Sequence, residues 1–329
     1  MKRIVGLDSI RFILALMVVL GHGTFIAVDD KLARSSAFWN ALQIVLKVFE
    51  PVGVGAVVGF FVLSGFVIHY PYSEGKPVQL YSFYVKRILR IGLPAIFAYF
   101  ICYYFFDIGM GVLWSLICEV IYYILYPLIL RYIKHFNSVL IVSFLISFLV
   151  TAYTTFFGNA GYNGDFHRDG YLVTWLVGLP IWLLGVKLAN DYKSFSLKAV
   201  PSFSKLCFLR ATCYVLACLS SILRFHFNIP YGYTLPLLSL VVYYWLMLEI
   251  LYYRDKKENY YLAYGGLMSY SVYLLHLSLL HFAEGFFGEN FNTKIWIDIP
   301  VIIVVLLCSW IFYIGVEKPS HNFARSIKI

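Results

Sequence analysis

The chain opens on a nearly uninterrupted apolar stretch from Ile4 to Val28, and nine more stretches of similar character follow. About 20 apolar residues in a helix cross the ~30 Å hydrocarbon layer of a bilayer, so each stretch predicts a membrane-spanning helix. The ten predicted spans lie near 4–28, 52–70, 91–106, 112–131, 138–157, 171–189, 208–226, 232–252, 262–283 and 295–315. The expected fold is all-α, a polytopic membrane bundle forming one membrane domain over 1–329 with no appended soluble domain. Composition agrees: 61% hydrophobic, 19% aromatic and only 13% charged residues lie outside the range of a soluble domain. The first stretch is too long for a signal-peptide apolar region and no small-residue cleavage site follows it, so it is expected to stay.

A net charge of +9 invites a reading as a nucleic-acid binder, but its distribution argues otherwise. With the N-terminus inside, 19 of the 26 lysines and arginines fall in inner segments and six in outer ones, with Arg11 inside the first span. Basic residues accumulate on the cytoplasmic side of membrane proteins, so this bias predicts both termini in the cytoplasm. The charge is a topology signal, and no nucleic-acid partner is expected. Cys102, Cys118, Cys207, Cys213, Cys218 and Cys308 lie in or beside apolar stretches without paired spacing. They read as small core residues and predict neither a disulfide framework nor a metal site.

Ionisable groups inside a membrane helix are costly and mark functional sites by default. Eleven residues at about 100° each return a helix close to its starting direction, so Arg11 and His22 share a face about 16 Å apart along the axis. Asp8 falls on the same stripe one turn earlier, and Gly21 and Gly23 flank the histidine. Further groups stand out. Ser64 and Gly65 interrupt an apolar helix, either as a packing notch or as a polar contact. Lys86, Arg87 and Arg90 form a basic cluster, with two arginines three residues apart on a presumed helix. The pair suits bidentate capture of phosphates, and it equally suits ordinary positive-inside charge. Glu119 sits in an apolar span after Trp114, where a carboxylate needs a cationic or hydrogen-bonding partner. Tyr273 and His276 lie late in the chain, in the ninth span. The outer loop from Gly158 to Gly170, rich in Asn, Asp and Gly, suits sugar recognition as well as plain solvation.

Taken together, these segments resemble the acyltransferase 3 family of integral membrane acyltransferases. Leu7-Asp8-Ser9-Ile10-Arg11 running on to Gly21-His22 is similar to the first-helix signature, an arginine followed after ten residues by a histidine. Phe60-Phe61-Val62-Leu63-Ser64-Gly65-Phe66, Phe83 to Ile91, Trp114-Ser115-Leu116 with Glu119, Tyr270 to His276, and the closing Glu317-Lys318-Pro319 complete the pattern in order. The chain departs from it at Val58, where many members are polar, and at Lys86, where an arginine is usual. The resemblance implies ten transmembrane helices and transfer of an acyl group, commonly acetyl, from cytoplasmic acyl-CoA as co-substrate. Typical acceptors of the family are cell-surface polysaccharides, their lipid-linked precursors, peptidoglycan or small lipophilic molecules. A bundle without an appended domain favours a hydroxyl of a polysaccharide or its lipid-linked precursor, modified in a bacterial cytoplasmic (inner) membrane.

Such a reaction needs a base for the acceptor proton and donors for the developing oxyanion. His22 is the expected base or acylated nucleophile, with Glu119 or Asp8 steadying its imidazolium and Arg11 positioning the donor thioester or a carboxylate. Lys86, Arg87 and Arg90 are expected at the CoA phosphates, and Ser64, Trp114, Tyr273 and His276 at the substrate. Two other classes compete. A transporter or flippase of a glycan or small molecule would use the buried charges as a substrate path. A non-catalytic scaffold or sensor would tolerate loss of both Arg11 and His22. The sequence fixes neither the acceptor sugar nor the oligomeric state.

Overall fold

A computed structural model describes residues 4–22, 35–48, 53–106, 113–158, 173–195, 199–288, 291 and 295–327. Among the described residues every regular element is helical and none is a strand. In chain order they are α1 (Leu7–Gly21), α2 (Ala37–Val48), α3 (Gly53–His69), α4 (Leu80–Arg87), α5 (Leu93–Phe106), α6 (Leu113–Arg131) and α7 (Phe136–Phe157). Then follow α8 (Thr174–Phe195), α9 (Phe203–Phe227), α10 (Tyr231–Tyr253), α11 (Tyr260–Leu267), α12 (Ser269–Phe287), α13 (Ile295–Phe312) and α14 (Lys318–Ser326). Two five-residue π-helical segments, Ile88–Gly92 and Tyr313–Glu317, join α4 to α5 and α13 to α14.

Among the described residues six helical stretches are long and apolar enough to cross a membrane: Gly53–Tyr72, Trp114–Arg131, Ile133–Phe157, Phe203–Phe227, Tyr231–Tyr253 and Trp296–Ser326. A seventh forms if α11 and α12 are one span bent by 67°. The expected 262–283 span is therefore broken at Met268. Gly265-Gly266 precede the break, and the Ser269 hydroxyl turns back to the Gly266 carbonyl at 2.8 Å, a combination that kinks helices. The three remaining apolar stretches are helical but fall short of that test. α1 and α5 have 15 and 14 residues. The last turns of α8 are diluted by Lys187, Asn190 and Asp191. Gly23 to Val28 of the first expected span, and Asn159 to Gly170 of the sugar-loop expectation, lie outside the described residues.

The chain folds as two compact units, each assembled from three separated stretches. The first comprises Met1–Ile10, Val54–Leu80 and Leu113–Ala263; the second comprises Arg11–Gly53, Tyr81–Val112 and Tyr264–Ile329. In the first unit α7 packs on α8 and α10, α6 on α8, and α9 on α10. α7 shows why this unit suits lipid rather than water. Ser143, Ser147 and Thr151 recur at helical spacing and are buried, Ser147 completely, while Leu149 on another face is 69% exposed. Small hydroxyl residues let helix backbones approach, and the Ser147 hydroxyl donates to the Val177 carbonyl of α8 at 3.1 Å.

α3 and α8 meet still more closely. A Cβ placed on Gly65 would lie 2.1 Å from the Trp182 carbonyl oxygen, and one on Gly185 would lie 2.0 Å from that of Val62. The two glycines therefore face each other across a backbone-to-backbone crossing, and the packing role considered for Gly65 is real. In the second unit α12 packs on α5 and α13, and α14 packs on the Ile88–Gly92 segment.

Both π segments have the same local cause. The Leu93 N–H reaches the Ile88 carbonyl and the Lys318 N–H reaches the Tyr313 carbonyl, five residues back in each case. The next residue is a proline each time, Pro94 and Pro319. Proline has no N–H and its ring crowds the carbonyl four residues earlier, so the turn widens to make room.

Candidate active site

In the second unit the two histidines at the ends of the sequence pattern come together. The rings of His22 and His276 lie 5.2 Å apart, centroid to centroid, and are tilted by 42°. His276 is fully buried on α12. Its Nδ1 lies 2.8 Å from the Tyr273 carbonyl and 3.2 Å from that of Val272. A carbonyl only accepts, so Nδ1 carries the proton and Nε2 presents a lone pair. That Nε2 has no hydrogen-bond partner among the described residues. A buried polar atom left unmatched costs about 1–3 kcal/mol, a price retained where the atom serves a ligand or a reaction. The Tyr273 ring stands 5.8 Å from that of His276.

His22 is placed differently from the expectation. It occupies a turn just after α1, its N–H directed to the Val19 carbonyl at 3.3 Å, and it is exposed rather than buried within a longer helix. Arg11, half-buried on α1, belongs to the same unit. Exposure beside a buried, fixed imidazole suits a group that must meet a substrate and exchange a proton with it.

The second unit also buries a carboxylate. Glu317, at the end of the second π segment, is 2% exposed. Its Oε2 accepts from both the backbone N–H (3.1 Å) and the hydroxyl of Ser271. Its Oε1 lies 3.8 Å from His321 Nε2. Arg11 and Arg90 both stand within its electrostatic reach. Arg87 ends α4 with its guanidinium 5.4 Å from the Phe83 ring centroid, and Arg90 lies in the π segment beyond. The two arginines thus straddle a change of helical register, and their neighbouring position on one regular α-helix is corrected. The cause is Pro94. Lys86, half-buried, precedes them in the last turn of α4.

Ser64, Trp114, Glu119 and Asp8 belong to the first unit. Glu119 Oε1 accepts from the hydroxyls of Ser64 and Tyr123. Ser64 in turn accepts from the Trp182 indole at 3.3 Å. Trp114 meets Phe61 edge-on at 6.4 Å. Nearby, buried His69 bridges the Tyr126 hydroxyl (2.9 Å) and Asn190 Oδ1 (2.6 Å). Asp8 is half-buried on α1, ahead of the point where that helix enters the second unit. Both carboxylates considered as partners of His22 are therefore first-unit residues.

Sequence reasoning missed Glu317, Ser320 and His321 as site neighbours, and also the buried Glu249 that binds Arg210 through two hydrogen bonds. Prolines inside apolar helices, with a glutamate and a histidine four residues apart on the last one, were the available signal.

Against known families, residues 4–314 match acyltransferase 3, described as an acyltransferase domain. The chain belongs to the acyltransferase 3 family. Among curated proteins and among solved structures nothing matches. The match takes in both histidines, Arg11 and the basic cluster of this acyltransferase 3 protein, and stops just short of Glu317. Membership and the apolar helices together make the chain a multi-pass membrane acyltransferase.

Proposed function

We propose that this acyltransferase 3 protein moves an acyl group, acetyl in the first instance, from cytoplasmic acyl-CoA to a hydroxyl of a cell-surface polysaccharide or its lipid-linked precursor. The observation that carries the reading is the accessible His22 ring held against buried, tautomer-fixed His276. His22 takes the proton of the acceptor hydroxyl as its oxygen adds to the thioester carbonyl carbon. The C–S bond then breaks, and His22 returns the proton to the departing thiolate. His276, its Nδ1 proton committed to backbone carbonyls, packs its ring against His22 and turns a neutral face with an unengaged Nε2 lone pair to the reacting groups.

The basic residues divide the remaining work. Arg90, with Arg87 and Lys86, neutralises the phosphates of the donor, and Arg11 lies between them and His22 in function, orienting the thioester. Charge on the donor and the 19-to-6 bias of basic residues both favour a cytoplasmic mouth for it. A ten-span bundle with both termini in the cytoplasm, in a bacterial inner membrane, accommodates this direction of transfer.

The reading is tested in cells. Surface glycan from cells carrying the wild-type gene should release acetate on mild alkali. Cells carrying His22→Ala at equal protein level should lose that acetate, and unchanged acetate would refute the assignment.

A further inference from the structure

We propose that Glu317 is a positioning residue that holds Arg11 and Arg90 in the orientation that receives the anionic acyl donor; this rests on the acyl-CoA reading above. Four observations converge on it. Glu317 is a buried carboxylate, and such a group requires both hydrogen bonds and countercharge. Ser271 supplies two donors to Oε2, which fastens Glu317 to α12, while Oε1 lies 3.8 Å from His321 Nε2. The segment carrying Arg90 packs against α14, which begins at the residue after Glu317, and the charges of Arg90 and Arg11 lie within electrostatic reach of the carboxylate. Finally, the backbone of the Arg90 segment is itself pinned from the same direction.

That pinning follows from the proline-induced π segment. With the Leu93 N–H diverted to Ile88 and no N–H on Pro94, the Leu89 carbonyl is left without a helical donor. Ser320 supplies one through its hydroxyl. The Tyr270 hydroxyl takes the Ile91 carbonyl at 2.9 Å. The residues on either side of Arg90, Leu89 and Ile91, are thus tied to α14 and α12. Tyr270 and Ser271 are adjacent on α12, while Glu317, Ser320 and His321 fall within five positions at the start of α14. The clamp fixes the backbone of Arg90, and Glu317 fastens the start of α14 to α12 behind it. A guanidinium so held meets a phosphate or carboxylate with less loss of freedom than a mobile one.

The test is donor kinetics with acetyl-CoA on full-length protein in nanodiscs. Glu317→Gln keeps the shape and an oxygen acceptor for Ser271 while removing the charge. A bond to a charged group has the size to raise the donor KM about 10- to 100-fold while kcat changes little. In an Arg90→Ala background the same change should have a much smaller effect, because Glu317 acts through the arginine. Glu317→Asp should recover part of the lost affinity. If Glu317→Gln does not fold, Ser271→Ala decides the matter, with about a two- to tenfold rise in KM expected from one lost hydrogen bond. Wild-type donor KM in a folded Glu317→Gln protein, with Arg90→Ala clearly impaired, overturns this assignment alone. A wild type without saturable acetyl-CoA dependence overturns the acyl-transfer reading as well.

Discussion

Gly65→Ala should be among the most damaging single-atom additions to this protein. The new methyl would lie 2.1 Å from the Trp182 carbonyl oxygen and 3.1 Å from the Val186 nitrogen, both backbone atoms that cannot rotate away. Carbon and carbonyl oxygen pack at about 3.3 Å, so α3 and α8 would have to part by roughly 1.2 Å. Overpacking of this kind costs about 1–3 kcal/mol, and a rigid backbone obstacle places it at the upper end. The shift would also break the Trp182-to-Ser64 hydrogen bond, 3.3 Å long, beside which Ser64 binds Glu119. That loss adds about 1 kcal/mol, for a total near ~4 kcal/mol. Thermal unfolding in detergent, followed by size-exclusion chromatography of the surviving fold, reads the effect. Gly285→Ala is the control: nothing lies within 4 Å of its Cβ, so it should be neutral or slightly stabilising. A Gly65→Ala protein as stable as wild type, or no less stable than Gly285→Ala, would refute the close crossing.

Two more substitutions probe other parts of the account. His276→Ala should lower kcat by about 10²- to 10⁴-fold while a folded protein is still recovered, if His276 governs the proton chemistry of His22; full turnover would contradict that pairing. Arg210→Ala leaves Glu249 buried with only the Trp245 indole donating to it at 2.8 Å among the contacts described here. The loss should be about 2 kcal/mol in a detergent unfolding assay, below the ~3–5 kcal/mol of a fully buried pair because Arg210 is 36% exposed. Arg210→Met combined with Glu249→Leu should recover much of it.

What the sequence revealed, and what it concealed, divides along physical lines. Long apolar runs mark helices whatever they pack against, so α3, α6, α7, α9, α10 and α13 were legible from hydropathy alone. So was membership of the family, carried by residues at fixed spacings. Register changes were not legible. Arg87 and Arg90 read as neighbours on one face because an α-helical period was assumed, whereas Pro94 widens the turn between them into a π segment. The break at Met268 was hidden for a similar reason, since an apolar run carries no record of a bend. His276 was expected at the substrate, with nothing in the sequence to say which ring nitrogen would be free. Only the folded chain shows Nδ1 committed to backbone carbonyls and Nε2 buried without a hydrogen-bond partner among the described residues. Glu317 entered the sequence reading only as part of the closing Glu317-Lys318-Pro319 pattern, and the fold buries it against Ser271.

The central claim is that His22, set against His276, performs acyl transfer from acyl-CoA. Its most direct test is acetyl transfer by purified protein in nanodiscs, given acetyl-labelled CoA thioester and the glycolipid fraction of its own cells. Wild type should transfer label to the glycolipid, and His22→Ala should lose at least about 100-fold of that rate at equal protein. Equal and substantial transfer by both proteins would contradict the claim.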